Sequence, residues 1–311
     1  MTRVAAIDCG TNSIRLLAAD LAGDELVDVV RRMRIVRLGQ GVDRTGRLAP
    51  EAIERTRVAL ADYAAECAEL GAERVRMVAT SATRDAANRD DFRAMVLATL
   101  GAEPEVITGD EEAGLSFTGA VRGLGRDVAG ARPPYLVADI GGGSTELVLG
   151  TDGVDAAYSM DVGCVRLTER HLVDDPPAPE QVAAAEADVL AALETARAHI
   201  PVATARTFVG LAGSVTTVAA VALDLPEYDA AKIHHIRVPA ADVRAVAERL
   251  LGMTRAERAA LPVMHPGRVD VIGAGALVLR VLVDSLGVDE VVVSEHDILD
   301  GIAWSMVGAD L

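Results

Sequence analysis

The stretch Leu136-Val-Ala-Asp-Ile-Gly-Gly-Gly-Ser-Thr-Glu-Leu-Val-Leu149 decides the fold, because it joins two apolar runs through a turn that is almost devoid of side chains. Glycine adopts backbone conformations that are closed to other residues, so the N–H groups of residues 141–144 can converge on one anion. Asp139 and Glu146 flank this turn with carboxylates, which suit a hard cation such as Mg²⁺ but repel a bare phosphate. The stretch therefore predicts a site for a phosphate that carries a metal ion.

A second copy of this pattern lies near the start of the chain. Asp8-Cys-Gly-Thr-Asn-Ser13 stands between two apolar runs, at residues 4–7 and 14–18, and repeats the order strand, Asp-x-Gly-x-x-Ser, strand. Such a repeat indicates two related halves, each with a phosphate-binding hairpin. A single Asp-x-Gly is more often only a tight β-turn, and the second copy reverses that preference. In a Rossmann fingerprint or a P-loop a helix would follow the glycines, so the flanking strands exclude both.

The composition limits the class of protein and of ligand. A chain of 311 residues is long enough for two domains with separate cores, and these must be aliphatic because only 3% of the residues are aromatic. The net charge of −17 argues against a general binder of nucleic acid or acidic membranes. A polyanionic ligand must therefore be held locally by arginines, backbone N–H groups and bound cations.

The cysteines and the apolar runs bear on the cellular compartment. Cys9, Cys67 and Cys164 are odd in number and lack paired spacing, which predicts neither a disulfide framework nor a zinc site. No cationic-then-apolar leader opens the sequence, and no run of eighteen uncharged apolar residues occurs. We therefore expect a soluble cytoplasmic protein.

Two polar segments of the first half are candidates for chemistry. Arg84 follows a strand and a polar turn, where it can bind phosphate oxygens or form a surface salt bridge to Asp85 or Asp91. The segment Asp110-Glu-Glu112 opens a helix. The helix dipole alone commonly explains acidic residues in a first turn, whereas the functional alternative is a general base.

The second half offers two further candidates. Gly213 and Ser214 end an apolar strand and open a helix at about Val215, which suits a nucleotide or phosphate seat, although close strand–helix packing explains the glycine nearly as well. His234 and His235 invite a metal interpretation. Neighbouring histidines in a strand point to opposite faces, so we favour a partly buried structural pair.

These motifs resemble those of the exopolyphosphatase and guanosine pentaphosphate phosphohydrolase family, within the actin, sugar-kinase and heat-shock ATPase superfamily. Asp-x-Gly alone would indicate only the superfamily, whereas the glycine loop together with Gly-x-Glu-Glu-Ala points to this family. The matching segments are Ala6-Ile-Asp-Cys-Gly-Thr-Asn-Ser-Ile-Arg-Leu16, Arg37-Leu-Gly-Gln-Gly41, Ala79-Thr-Ser-Ala-Thr-Arg84, Gly109-Asp-Glu-Glu-Ala113, Asp139-Ile-Gly-Gly-Gly-Ser-Thr-Glu146, Gly163-Cys-Val-Arg-Leu-Thr-Glu169 and Gly210-Leu-Ala-Gly-Ser-Val-Thr-Thr217.

The resemblance implies an α/β protein of two actin-like (ribonuclease H-like) domains with the site in the cleft between them. A proline-rich stretch without apolar periodicity sets the boundary, giving domains at 1–128 and 129–298. The last helix, at about 299–311, is expected to return to the first domain. The chain is similar to short members that lack an additional C-terminal helical domain. Leu299 and Asp300 stand where this family usually has Arg-Glu, which affects any contact that the arginine would make.

The resemblance also implies roles for individual residues. Glu112 matches the proposed base, and Glu111 is the alternative because adjacent helical residues point about 100° apart. Mg²⁺, or Mn²⁺ in its place, is expected at Asp139 and Glu146 with Asp8, and a monovalent cation is compatible with the site. The residues expected to bind phosphate are Gly10, Thr11, Asn12, Ser13, Arg84, Gly141, Gly142, Gly143, Ser144, Thr145, Gly213 and Ser214.

The preferred function is hydrolysis of the terminal phosphate of inorganic polyphosphate with Mg²⁺. The alternatives are 5′-phosphate removal from guanosine pentaphosphate and, in another class, a nucleotide-binding regulator without turnover. A sugar kinase is disfavoured because no sugar-recognition motif is present. The resemblance further suggests a homodimer, and neither nucleic acid nor membrane is expected as a partner.

Overall fold

The computed structural model describes residues 2–23 and 25–307, which form two compact units. Unit 1 contains Met1–Gly119 and the segment from Ile298 onward, and unit 2 contains Ala120–Asp297. The first division precedes residue 128, the predicted end of the first domain. Gly125 packs within unit 2, where a Cβ atom would lie 2.9 Å from the hydroxyl of Tyr135. Residues 308–311 of the expected last helix lie outside the described residues.

Unit 1 combines one mixed sheet with helices. Its elements are β1 (Arg3–Cys9), β2 (Ser13–Ala22), β3 (Glu25–Ile35), α1 (Val42–Thr45), α2 (Pro50–Glu69), β4 (Arg74–Ala79), α3 (Ser81–Asp85), α4 (Arg89–Leu100), β5 (Glu105–Val106), α5 (Gly109–Val121) and, at the C-terminal end, α14 (Ile298–Ser305). The strand order is β3-β2-β1-β4-β5. The strand β1 pairs antiparallel with β2 and parallel with β4, so the first Asp-x-Gly segment is a hairpin turn, as predicted.

The helix α2 follows directly from its sequence. Pro50 occupies the first turn, where its missing N–H costs no hydrogen bond. Leu60, Tyr63 and Cys67 recur at helical spacing and are buried in the core that covers the sheet. Gly71 has a φ of +67° and ends the helix in the left-handed conformation that glycine tolerates best.

Unit 2 is built on the same plan with a larger mixed sheet. Its elements are α6 (Leu124–Asp127), β6 (Tyr135–Ile140), β7 (Thr145–Gly150), β8 (Val154–Met160), α7 (Cys164–Arg170), α8 (Pro179–Arg197), β9 (Thr207–Leu211), α9 (Ala212–Ala222), α10 (Ala230–Ile233), β10 (Arg237–Pro239), α11 (Ala240–Gly252), α12 (Arg255–Ala259), α13 (Ile272–Leu286) and β11 (Glu290–Ser294). The strand order is β10-β11-β9-β6-β7-β8. Two mixed sheets with helices confirm the predicted α/β class.

Two helices of unit 2, α9 and α13, are strongly apolar. The helix α9 begins at Ala212, before the predicted start at about Val215, because the chain turns at Ala212 itself, whose φ is 69°. The helix α13 is almost entirely buried in the core of unit 2. Within the described residues, no helix has the length and apolar character needed to cross a membrane.

The helix α14 completes the second core layer of unit 1. Its residues Leu299 and Ile302 are buried with Val4 of β1 and Leu17 of β2. Leu299 is 1% exposed, so apolar packing occupies the position where this family usually has arginine. Asp300 accepts two hydrogen bonds from the guanidinium of Arg31 on β3, the shorter at 2.6 Å.

A close approach of two helices in unit 1 gives a stability prediction. A Cβ atom at Gly301 would lie 1.9 Å from the carbonyl oxygen of Leu115 in α5, so Gly301→Ala should lower the free energy of unfolding by about 1–3 kcal/mol or more. The matched control is Gly114→Ala, because a Cβ atom there has no neighbour within 4 Å. It should raise stability by roughly 0.5–1 kcal/mol, since alanine favours a helix interior. Urea unfolding of both variants measures these changes, and equal midpoints would contradict the packing described.

Candidate active site

The second glycine loop carries two carboxylates on one face of the sheet of unit 2. Asp139 and Glu146 are direct partners in the β6–β7 pair, and both side chains are buried. Directly opposite residues of antiparallel strands project to the same face. On the next strand, Ser159 is the partner of Glu146 and donates to its carboxylate at 2.7 Å. Ser159 was not predicted from the sequence, because only the register of β8 places it beside Glu146.

The carbonyl groups of this loop are bound from one side. The N–H groups of Cys164 and Val165, at the start of α7, donate to the carbonyls of Gly141 and Gly142 at 3.0 and 2.9 Å. The guanidinium of Arg166 donates to the carbonyl of Gly143 at 2.7 Å. A Cβ atom on Gly163 would lie 2.5 Å from the carbonyl oxygen of Gly142, so glycine is needed for this approach. Gly163 and Arg166 thus hold the loop.

This arrangement fixes the direction of the loop N–H groups. In a trans peptide the C=O and the following N–H point in opposite directions. Because the carbonyls of Gly141, Gly142 and Gly143 turn toward α7, the N–H groups of Gly142, Gly143 and Ser144 face away from it. The loop therefore presents successive backbone donors on one side, as an anion-binding nest requires. The hydroxyl of Thr145 is used within the fold, where it donates to the carbonyl of Val162 at 2.7 Å.

The first loop is built in the same way in unit 1. The N–H of Gly10 donates to the carbonyl of Ser13 at 2.9 Å, as the N–H of Gly141 donates to that of Ser144 at 3.0 Å. The carbonyls of Thr11 and Asn12 accept hydrogen bonds from backbone N–H groups of the segment after β3. The N–H of Gly39 donates to the carbonyl of Thr11 at 2.8 Å. A Cβ atom on Gly39 would lie 2.3 Å from the methyl of Thr11, which explains that glycine.

The two loops differ in charge at one equivalent position. The partner of Asp8 across the β1–β2 hairpin is Arg15, whose guanidinium donates to Asp8 at 2.7 Å. In the second hairpin the equivalent partner of Asp139 is Glu146. Among the described residues, no group of three or more His, Cys, Asp or Glu side chains is arranged to hold a metal ion. Mg²⁺ typically takes only one or two protein carboxylates plus phosphate oxygens and water, so Asp139 and Glu146 fit its requirements.

The structure distinguishes the two glutamates at the start of α5. Glu112 is buried and its carboxylate lies 3.1 Å from the guanidinium of Arg84, which also donates to the carbonyl of Ile107 at 3.1 Å. Glu111 has a side chain that is 45% exposed and lies 2.8 Å from Arg76. Arg84 thus contacts Glu112, a partner that the sequence analysis did not consider because 28 residues separate the two in the chain.

Gly213 and Ser214 lie at the start of α9, but their surroundings leave little space. A Cβ atom on Gly213 would lie 2.3 Å from the guanidinium of Arg268. This arginine donates to the hydroxyl of Thr217 at 3.3 Å. The hydroxyl of Ser214 is packed against Gly275, where a Cβ atom would lie 2.2 Å from it. Arg268 beside this helix start was not predicted, since no local sequence pattern links it to Gly213.

The paired histidines do not lie in a strand, so the argument that their side chains point to opposite faces was wrong. His234 ends α10, and His235 has a φ of 66°, which turns both rings to the same side. Their rings are stacked with centroids 3.6 Å apart, and the ring of His296 lies 4.4 Å from that of His234 at a tilt of 41°. Burial lowers the pKa of His235, and His296 acts in the same direction while Asp127 opposes it.

Comparison with known proteins gives consistent relatives. The pattern of the Ppx/GppA phosphatase family matches residues 17–309. Exopolyphosphatase 2 of Mycobacterium tuberculosis is 60% identical to this chain, with 99% of each covered. Among solved structures, an exopolyphosphatase-like protein superposes with a TM-score of 0.94 at 45% identity, covering 98% of both chains. The PPX-GPPA enzyme of Aquifex aeolicus superposes with a TM-score of 0.80 at 32% identity, covering 98% of this chain and 99% of its own.

The histidine cluster makes stability depend on pH. Because the folded protein favours neutral His235, the unfolded chain binds more protons below the ordinary histidine pKa of about 6.5. The free energy of unfolding should therefore fall as the pH drops through about 6.5 and level off below the folded pKa. His235→Asn should reduce this slope, since asparagine tolerates positive φ. Urea unfolding between about pH 5.5 and 7.5 measures it.

The matched control for the histidine prediction is His199→Asn, because His199 lies in the same unit and is exposed. This variant should retain the wild-type slope. An unchanged slope in His235→Asn, or an equal loss in both variants, would contradict the assignment.

Proposed function

This chain belongs to the Ppx/GppA phosphatase family, and from that premise we propose that it is an exopolyphosphatase. It is a phosphoanhydride hydrolase that removes the terminal phosphate of inorganic polyphosphate and releases orthophosphate. The observation that carries this proposal is the 60% identity to Exopolyphosphatase 2 across 99% of both chains. The paired carboxylates of the second loop and the buried Glu112 supply the chemical groups that such a reaction needs.

Glu112 is the proposed general base. It orients a water molecule and accepts its proton as the water oxygen attacks the terminal phosphorus, in line with the bridging oxygen that leaves with the shortened polyphosphate. Its burial beside Arg84 supports this choice, because the guanidinium fixes the carboxylate in one position. Glu111 is the weaker candidate, since its exposed side chain contacts Arg76 at the surface of unit 1.

The backbone donors of the loops are the proposed stabilisers of phosphate charge. The N–H groups of Gly142, Gly143 and Ser144 bind phosphoryl oxygens, and the first loop contributes through Asn12 and Ser13. Such donors are held in place by the fold before substrate binds, so they need no reorganisation during the reaction. These backbone donors carry no net charge. They can therefore bind phosphate oxygens without a basic surface, which a protein of net charge −17 lacks.

Mg²⁺ is the proposed metal ion, and Asp139 and Glu146 are the residues that would hold it. When bound, Mg²⁺ neutralises charge on the phosphate oxygens during transfer. Ser159 positions Glu146 through its 2.7 Å hydrogen bond. Asp8 is the least suited of the expected ligands, because Arg15 already neutralises its charge at 2.7 Å.

The substrate is tested by direct comparison. Phosphate release with Mg²⁺ should be measured for short polyphosphate, long polyphosphate and guanosine pentaphosphate under identical conditions. The proposal expects a higher kcat/KM for polyphosphate than for guanosine pentaphosphate. The reverse preference would instead identify a guanosine pentaphosphate 5′-phosphohydrolase, and Mg²⁺-dependent binding without release would identify a regulator.

The general base gives a sharp prediction for turnover. Glu112→Gln should lower kcat by about 10²–10⁴-fold, because the amide cannot accept the proton of the attacking water. Glu111→Gln is the matched control, since it makes the same change one position earlier and should keep kcat within about threefold. Steady-state phosphate release measures both variants. A larger loss in Glu111→Gln than in Glu112→Gln would exchange the two roles.

The metal site gives a prediction that does not depend on turnover. Saturating Mg²⁺ at about 100 times its Kd should stabilise the wild type by roughly 2.7 kcal/mol. Glu146→Gln should abolish most of this response while keeping the hydrogen bond from Ser159. Without metal, this variant should be no less stable than the wild type, because two carboxylates no longer oppose each other.

The matched control for the metal prediction is Glu248→Gln on the exposed face of α11. It should retain the full response to Mg²⁺ in a thermal unfolding titration. A wild-type protein that gains no stability from Mg²⁺ would contradict the assignment, as would a full response in Glu146→Gln.

Assembly and location are further proposals, which rest on the family resemblance alone. A homodimer in the cytoplasm is the proposed state of the protein. Light scattering coupled to size-exclusion chromatography measures the mass in solution, and a mass of about 32 kDa, that of one chain, would exclude the dimer.

A further inference from the structure

Unit 2 contains a cavity of about 590 Å³ that takes no part in the candidate active site. It lies at the amino ends of the parallel strands β6, β9 and β11, where Leu136, Phe208 and Val292 line it. The glycine loop and the start of α9 follow the opposite, carboxyl ends of β6 and β9. A strand of six residues is roughly 20 Å long at about 3.3 Å per residue, so β6 separates this cavity from the second loop.

Three arginines line the cavity: Arg132, Arg206 and Arg237. Arg237 is held by Glu290 and by the carbonyl of Ala129. In the part of the chain that the structure describes, the side chains of Arg132 and Arg206 form no ion pair. In a protein with 47 acidic and 30 basic residues, two arginines without a carboxylate partner at one cavity are unexpected.

The backbone fixes the positions of these two arginines. The N–H of Arg132 donates to the hydroxyl of Thr207 at 3.0 Å, and that hydroxyl donates to the carbonyl of Arg132 at 2.9 Å. The N–H of Arg206 donates to the carbonyl of Pro134 at 2.8 Å. These bonds join the segment before β6 to the start of β9. Both guanidinium groups therefore extend from anchored backbone at the rim of one cavity.

The rest of the lining includes the apolar side chains of Leu136, Phe208, Leu286 and Val288. It also includes the carboxylates of Asp289 and Glu290, and Glu290 pairs with Arg237. The volume is within the range of about 300–1,000 Å³ that is usual for small-molecule sites. One guanidinium fork can satisfy both oxygens of a carboxylate, whereas a phosphate chain offers oxygens for several forks. The cavity thus combines charge for a phosphate chain with an apolar surface for an organic group.

We propose that this cavity binds a phosphorylated organic anion of nucleotide size, with Arg132 and Arg206 on its phosphates and the apolar wall against its organic part. The site is separate from the glycine loops, and its arginines bind phosphate without a metal ion. Ligand binding here can therefore be measured under conditions in which Mg²⁺-dependent hydrolysis does not occur.

The test is calorimetric titration of the full chain with ATP in the presence of EDTA. Wild type should bind ATP, and the double variant R132A/R206A should weaken this binding on the order of tenfold or more, because it removes both charge-assisted contacts. The matched control is R249A/R255A, which removes two exposed arginines from the same unit. It should bind ATP within about twofold of wild type.

Two further ligands separate the contributions of charge and apolar surface. Tripolyphosphate carries the phosphate chain without the nucleoside and should bind more weakly than ATP. Adenosine carries no phosphate and should not bind detectably. Equal affinity for tripolyphosphate and ATP would overturn the assignment to an organic phosphate, because the apolar wall would then contribute nothing.

Other outcomes also decide the proposal. Absence of ATP binding by wild type, or unchanged binding by R132A/R206A, would overturn it. The double variant should hydrolyse polyphosphate within about twofold of the wild-type kcat/KM in the absence of ATP, since its substitutions lie at the other end of the sheet. Loss of hydrolysis by wild type would contradict the proposed function and leave this binding result unaffected.

Discussion

The direction of a few peptide groups is the constraint on which the candidate site depends. In each unit a glycine loop follows an Asp, and a neighbouring segment binds the carbonyls of that loop from one side. The carbonyls of Gly141 and Gly142 accept from the start of α7, and those of Thr11 and Asn12 accept from residues 36–39. Since a peptide's C=O and N–H point in opposite directions, these contacts present the loop N–H groups together on the other side. The fold thus supplies anion donors without basic side chains.

One exchange of charge makes the repeated hairpins chemically different. Arg15 in the first hairpin is opposite Asp8, and Glu146 in the second hairpin is opposite Asp139, the aspartate that repeats Asp8. An aspartate beside an arginine is neutralised, whereas two facing carboxylates favour a divalent cation. A duplicated structure can therefore perform two tasks with the same backbone. This division also suits an acidic protein, because the proposed cation at Asp139 and Glu146 would offset repulsion of a polyanion locally.

The sequence predicted local structure and the repeat well, since both depend on short patterns. Glycine and Asp spacing identified the hairpin turns, and Pro50 and Gly71 marked the ends of α2. Short sequence patterns could not predict contacts between residues that are far apart in the chain. Arg84 and Glu112 are in contact although 28 residues separate them in the chain. The stacking of His234 on His235 depends on the positive φ of His235, which no sequence pattern predicts. The arginines at the amino ends of β6 and β9 escaped notice because loops place them together.

The position of α14 has a consequence for biosynthesis. Val4 and Leu17 share their core layer with Leu299 and Ile302, although the intervening residues include all of unit 2. A ribosome releases the amino end first, so the nascent chain exposes one apolar face of the β1–β2 hairpin until α14 has been synthesised. Unit 2 is one continuous segment, Ala120–Asp297, so its core needs no residues from the later α14 and can form while the chain is still attached to the ribosome. Premature termination just before Ile298 would therefore yield a polypeptide that contains all of unit 2 but leaves one apolar face of the unit 1 sheet uncovered.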